Sequence, residues 1–267
     1  MMNNQTIADL LVLVRQKRPL VHHITNYVTV NDCANITLCI GAAPVMAEAP
    51  DEVEEIVAVA GALVLNIGTL SSDLIESMLI AGKAANSCNI PIILDPVGAG
   101  ATTLRTRSVK HLIDELDISV LKGNAGEIGV ITGTGGCVRG VDSAGLTGGP
   151  VMVARACADM TGGVVVMSGP TDIITDGKCV ILVKNGHDMM GRLSGTGCMA
   201  SSLIGAFAAV SNSIPEASVA ALATFGRAGE LAGCDAKGPY SFRTALFDSL
   251  YGLTPEDIVM HAQIETL

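Results

Sequence analysis

Short runs made almost wholly of apolar residues recur along this chain at 62–67, 92–94, 118–121 and 164–167. Between them lie segments whose apolar residues fall three or four positions apart. A strand that is apolar on both faces has to be covered on both faces, and a helix-length connection lets the next strand run parallel to it. The alternation therefore predicts an α/β fold, a mostly parallel central sheet between two layers of helices. Strands at 20–24 and 44–46 and helices at 28–40, 51–59, 71–87, 104–115 and 150–160 keep the same rhythm, and a short helix opens at Asn124. Ile7, Leu10, Leu11 and Val14 have the spacing of one more helix ahead of the first strand. Segments 171–175 and 179–183, joined by Asp176-Gly177, predict an antiparallel hairpin on one sheet edge. After Cys198 the chain reads as almost wholly helical.

The chain has 267 residues, 49% of them apolar, with 30 glycines and no Trp, so a core of Val, Ile, Leu, Ala and Met is expected in a single domain over 1–267. A net charge of −10 with no Lys/Arg cluster argues against nucleic acid or an anionic membrane as partner and favours small molecules. The uncharged run at 193–215 is interrupted by Gly, Ser, Asn and Pro, which does not suit a membrane span. Eight cysteines without a CxxC pair disfavour a zinc site or a disulfide framework; reduced thiols and the lack of a signal-peptide pattern point to the cytoplasm. Cys179, in Lys-Cys-Val-Ile-Leu-Val, reads as a small buried hydrophobe. The glycine-rich stretch 133–149 reads as a loop within the domain.

Ligands of parallel sheets bind beyond the carboxyl ends of the strands, which selects Asn26, Met46, Gly68, Asp95, the stretch 122–127 and Ser168-Gly169. Asp95, ahead of Pro-Val-Gly98, is placed to meet a metal or a hydroxyl, or to cap the next helix. Asn124 and Glu127 share one face of a first helical turn, where they could hold hydrated magnesium or form a capping box. Ser194-Gly195-Thr196-Gly197-Cys198 opens directly into a small-residue helix, and such a turn aims N–H groups at an anion. Gly195 to Ala200 also matches the dinucleotide pattern G-x-G-x-x-A. No buried strand precedes it and it lies late in the chain, so a dehydrogenase does not fit; no P-loop motif occurs.

Together these features resemble the ribokinase-like superfamily of small-molecule kinases, a three-layer α/β/α sandwich, here without a separate lid domain. The segments His22-His23-Ile-Thr-Asn26, Gly41-Ala-Ala-Pro-Val-Met46, Leu65-Asn66-Ile-Gly68, Asp95-Pro-Val-Gly98 and Gly195-Thr-Gly-Cys198 resemble the hydroxyethylthiazole kinase family of thiamine salvage in particular. The resemblance runs from about residue 5 to beyond residue 250. It implies ATP as co-substrate, Mg2+, transfer to the primary hydroxyl of 4-methyl-5-(2-hydroxyethyl)thiazole, and a homotrimer with sites between subunits. On that basis Lys122, Ser168 and Asn124 are assigned to the nucleotide, and Glu127 and Asp95 to the metal. Met46, Gly195, Asn26 and Val28 are assigned to the thiazole, and Gly195, Thr196, Gly197 and Cys198 to catalysis.

Most of the superfamily carries an aspartate base where Cys198 stands. A helix N-terminus lowers a thiol, so some thiolate is expected at Cys198, which reads as a weak base or positioning group. Lys122 replaces the usual arginine and Ser168 the usual threonine, while Asp188 and Tyr240 replace proline and glycine. The competing readings are a hydroxymethylpyrimidine kinase or an NAD(P)H-hydrate dehydratase of the same fold, and a non-catalytic nucleotide-binding regulator.

Overall fold

A computed structural model describes residues 2–134 and 149–267. Among the described residues, nine strands make one sheet: β1 (Leu20–Ile24), β2 (Ala43–Met46), β3 (Ala62–Asn66), β4 (Ile92–Asp95), β5 (Val120–Asn124), β6 (Val164–Ser168), β7 (Asp172–Thr175), β8 (Val180–Val183) and β9 (Ile264–Thr266). Their order is β2-β1-β3-β4-β5-β6-β7-β8-β9. Pairings from β2 through β6 are parallel; those from β6 through β9 are antiparallel.

Helices α1 (Asn4–Lys17), α2 (Val30–Ile40), α8 (Thr196–Ala208), α9 (Ile214–Asp235), α10 (Pro239–Gly252) and α11 (Pro255–His261) cover one face of the sheet. Helices α3 (Val53–Val59), α4 (Ser72–Ser87), α5 (Thr103–Glu115), α6 (Ala125–Ile131) and α7 (Pro150–Thr161) cover the other. The strand period of two divides the core. Val64 of β3 packs into the first layer, whereas its neighbours Leu63 and Leu65 pack into the second. On α4, Leu74, Met78, Ala81 and Ala85 form the buried stripe. Met78, fully buried, accounts for about 2 kcal/mol of burial. Ser71 accepts a bond from the Leu74 N–H and fixes where that helix begins.

β1 and β3 are neighbours whose onward connections diverge, β1 leading to β2 on one side and β3 to β4 on the other. Such a reversal opens a crevice at the strand ends. Asn26 lies just beyond β1 and Asn66 closes β3, so both stand at its mouth.

The structure departs from the sequence reading in three places. The strand expected at 118–121 runs over Val120–Asn124, so Lys122 lies within β5, where it pairs with Val166 of β6. A charged side chain and a glycine concealed that extension. The chain after Cys198 is not wholly helical, because Ile264–Thr266 pairs with β8. One apolar residue in three gives no strand signal; the unpaired edge of β8 supplies the template. Cys179 is exposed rather than buried, since it lies in the turn held by Asp176, whose Oδ1 accepts the Cys179 N–H at 2.8 Å. Every described cysteine is free. Most of the loop expected at 133–149 lies outside the described residues.

Candidate active site

The N-terminus of α8 is the centre of the site. Gly195, its N-cap, has φ +92°, and a Cβ there would lie 2.6 Å from Cγ2 of Thr29, so conformation and space both require glycine. The Met199 N–H bonds the Gly195 carbonyl at 2.8 Å as the first helical bond. The N–H groups of Thr196, Gly197 and Cys198 precede that ladder and point out along the helix axis. The Thr196 hydroxyl donates to the Met190 carbonyl at 3.1 Å and fastens the turn to the 3-10 segment Asp188–Arg192. A Cβ on Gly197 would lie 2.9 Å from Nζ of Lys122, so the ammonium stands directly over these donors.

Charge collects beside that ammonium. Lys122 Nζ lies 3.6 Å from Asp95 Oδ2, with both side chains almost fully buried. Asp95 Oδ2 also accepts the Ser201 hydroxyl of α8 at 2.7 Å. Thr102, not Asp95, caps the next helix, leaving the carboxylate for the site. Burial alone would lower Lys122, but the carboxylates of Asp95 and then Glu127 raise it above its ordinary value. It therefore stays charged. Asn124 and Glu127 form the capping box: Asn124 Oδ1 accepts the Glu127 N–H at 3.0 Å and Glu127 Oε2 accepts the Asn124 N–H at 2.8 Å. Glu127 Oε1 accepts the Gly98 N–H at 2.8 Å, so the box fixes the carboxylate beside the turn after β4. Burial first, then the Asp95 charge, hold Glu127 above the usual carboxylate range.

Cys198 occupies a neutral environment of amides. Asn66 Nδ2 donates to its Sγ at 3.2 Å and Asn26 Nδ2 at 3.4 Å, while Asn26 Nδ2 also donates to Asn66 Oδ1 at 3.0 Å. Asn26 Oδ1 accepts both the N–H and the hydroxyl of Thr29. The thiolate expected from helix position is not favoured. Burial and then the Asp95 charge push the Cys198 thiol up, outweighing Thr29, Lys122 and Asn66, which pull it down.

Two clefts open in this part of the molecule, and Thr196 and Gly197 of the turn line the second. The first, about 510 Å³, is lined by His23, Tyr27, Val30, Met46, Thr69 and Leu74 among others. The second, about 360 Å³, is lined by Lys122, Asn124, Ser168, Asp172, Asp188, Thr196 and Gly197 among others. Gly197 lines the second cleft, and Cys198 beside it is held by Asn26, whose chain neighbours Thr25 and Tyr27 line the first. The structure thus brings Met46 to one cleft and Lys122, Asn124 and Ser168 to the other. Buried Asn26 forms part of the network behind the cleft wall, and Val28, 65% exposed, lies outside both linings. Tyr240 is also exposed, in the first turn of α10.

Three further residues of the site went unread in the sequence. Asn66 stands at a strand end, where the same rule that selected Asp95 would have found it. Asp172, in the second cleft, is pushed up to about 6 by burial. Arg105 donates to the carbonyls of Ile67, Gly68 and Val97, tying together the turns after β3 and β4, and only the tertiary fold reveals it.

Among the described residues, no cluster of three or more His, Cys, Asp or Glu side chains could enclose a metal ion. Asp95 and Glu127 form a pair. Magnesium keeps several waters and needs only one or two carboxylates beside substrate phosphates, so this pair fits it without a protein cage.

A model of the hydroxyethylthiazole kinase family matches residues 11–256. The chain belongs to that family. It is 64% identical over 258 residues to a hydroxyethylthiazole kinase from Methanoculleus marisnigri, covering 97% of this chain and 92% of that protein. The solved hydroxyethylthiazole kinase from Pyrococcus horikoshii OT3 superposes with a TM-score of 0.90 at 41% identity, covering 98% of each chain. A pyridoxal kinase from Staphylococcus aureus shares the fold alone, with a TM-score of 0.61 at 15% identity over 93% of this chain and 97% of that one. The sheet and its two helical layers are thus the ribokinase-like sandwich. As a hydroxyethylthiazole kinase family member, this chain is a kinase.

Proposed function

We propose that this kinase transfers the γ-phosphoryl group of ATP to the primary hydroxyl of 4-methyl-5-(2-hydroxyethyl)thiazole in thiamine biosynthesis. The observation that carries the reading is the α8 N-terminus, with Lys122 Nζ against Gly197 and both residues lining one cleft. A loose phosphoryl transition state is stabilised chiefly by positioning and by donors aimed at its oxygens. The N–H groups of Thr196, Gly197 and Cys198 supply that hole together with the Lys122 ammonium. Ser168 and Asn124, in the same cleft, bind the nucleotide phosphates. Met46 lines the cleft assigned to the thiazole, and Gly195 packs against Thr29. Asp95 and Glu127 hold the waters of Mg2+, which when bound neutralises phosphate charge. Cys198 orients the acceptor hydroxyl rather than taking its proton, because burial keeps its raised thiol protonated at neutral pH.

The exposed Tyr27 and Val28, beside the first cleft, are apolar surface that a second subunit would cover in a homotrimer. We take residues 1–267 as one catalytic domain acting in the cytoplasm. The test is ATP consumption by the purified protein with each candidate acceptor. Turnover is expected with the thiazole alcohol and Mg2+, and not with hydroxymethylpyrimidine or hydrated NADH. Turnover with another acceptor alone would transfer the reading to a superfamily alternative, and none with any would favour a regulator. Sedimentation velocity is expected to show about three times the mass of one chain.

A further inference from the structure

We infer that Asn66 is a positioning residue for the Cys198 sulfur, holding it as a hydrogen-bond acceptor at the start of α8. Asn66 is 1% exposed, and every polar atom of its carboxamide is engaged. Its Oδ1 accepts the Gly68 N–H at 2.9 Å and Asn26 Nδ2 at 3.0 Å. These two bonds fix the plane of the amide and leave Nδ2 one direction in which to donate, toward Cys198 Sγ at 3.2 Å. The flip that would turn Oδ1 toward the sulfur would set Nδ2 against two donors, so the surroundings assign the orientation.

The consequence is chemical. A sulfur that receives an N–H from Asn66 and another from Asn26 has those lone pairs occupied, and its remaining direction faces away from both amides. Neutral donors favour the thiolate without adding a charge that an incoming phosphate would attract or repel. The other titratable groups that act on Cys198 are Asp95 from β4, Lys122 from β5 and Cys33 from α2, whose own thiol burial holds up at about 11. Asp95 and Lys122 oppose one another, and the neutral groups Thr29 and then Asn66 pull the thiol down.

The inference rests on the reading of Cys198 as the group that meets the acceptor hydroxyl, and its test separates the two. Asn66→Asp is nearly isosteric and keeps Oδ1 for Gly68 and Asn26, replacing only the donor to sulfur with a carboxylate oxygen. Iodoacetamide labelling at pH 8.5, read by mass spectrometry of the Cys198 peptide, is expected to slow about tenfold, because a like charge raises a thiol by about one unit or more. Labelling of exposed Cys88 serves as the reference and is expected not to change. The turnover number is expected to fall with little change in KM for ATP, and to recover on raising the pH more than in the parent enzyme. Asn66→Ser removes the donor without adding charge and supplies the measurement should the aspartate variant fold poorly. Unchanged labelling of Cys198 in both variants overturns the inference. Slowed labelling with an unchanged turnover number upholds the sulfur cradle and overturns the role of Cys198 in the reaction.

Discussion

The two sides of the α8 N-terminus differ in kind. On one side, the buried groups are charged: Lys122, Asp95 and Glu127 lie together with little solvent between them. On the other they are neutral: the carboxamides of Asn26 and Asn66 enclose a thiol, and His23 lines the neighbouring cleft with its ring held down to about 4 by burial. Under the proposed function, buried charge gathers on the phosphate side, while the first cleft carries a carboxylate only at exposed Glu48. The helix terminus serves both sides, since its N–H groups carry partial charge fixed by the backbone and require no ionisable side chain.

If that division is correct, substitutions on the charged side should dominate. Lys122→Met removes the ammonium above the hole and leaves two buried carboxylates unpaired. Its kcat/KM is expected to fall by about a thousandfold, whereas Lys122→Arg, which keeps the charge in a larger fork, should stay within about tenfold. Steady-state kinetics with ATP as the varied substrate would show it, and a mild methionine variant would break the comparison.

Gly197→Pro deletes one outward N–H and crowds the lysine, for an expected loss of about a hundredfold in turnover. Cys198→Ala, on the neutral side, should lose only about tenfold, below the usual range for a full general base. The reverse order in parallel assays would make the side chain the principal catalyst and the backbone hole secondary.

The smallest effect lies in stability. His23 is buried, with a folded value of about 4 against about 6.5 for an unfolded histidine. Between those values the unfolded state binds more protons, so the contribution of neutral His23 is complete above pH 6.5 and is lost as pH falls through about 4. Melting temperatures measured from pH 7 to pH 4 should therefore decline less steeply in His23→Gln than in the parent. Equal slopes would show that the neutral side tolerates a charge.

Much of the sandwich was legible in the sequence because its signals are local. The run at 62–67, apolar but for Asn66, has no continuous polar face to turn to solvent, so it had to become a covered strand, and residues 62–66 form β3. Asp95 and Met46 were legible for a related reason: in parallel sheets the chemistry gathers at strand ends, and strand ends can be located from the apolar runs. Lys122 was placed just outside its strand because pattern reading stops at a charge, although the ladder to β6 continues through Asn124. Cys179 was misread because its apolar neighbours lie within β8 while it lies in the turn before them.

By itself the sequence determined the layered fold, the glycine-bracketed helix start at 195–198 and the strand-end positions around it, since each follows from the periodicity or conformational freedom of adjacent residues. Only the tertiary structure decided which groups face one another across that helix start. Asn26 and Asn66 are 40 residues apart and both lie more than 130 from Cys198, yet they meet at its sulfur. Lys122 reaches Gly197 only because the fold brings the β5 side chain to the start of α8. Hydrogen bonds and ion pairs act over a few ångströms of space rather than along the chain, so the proton affinity of the thiol and the charge of the lysine were fixed by neighbours that no local pattern contains.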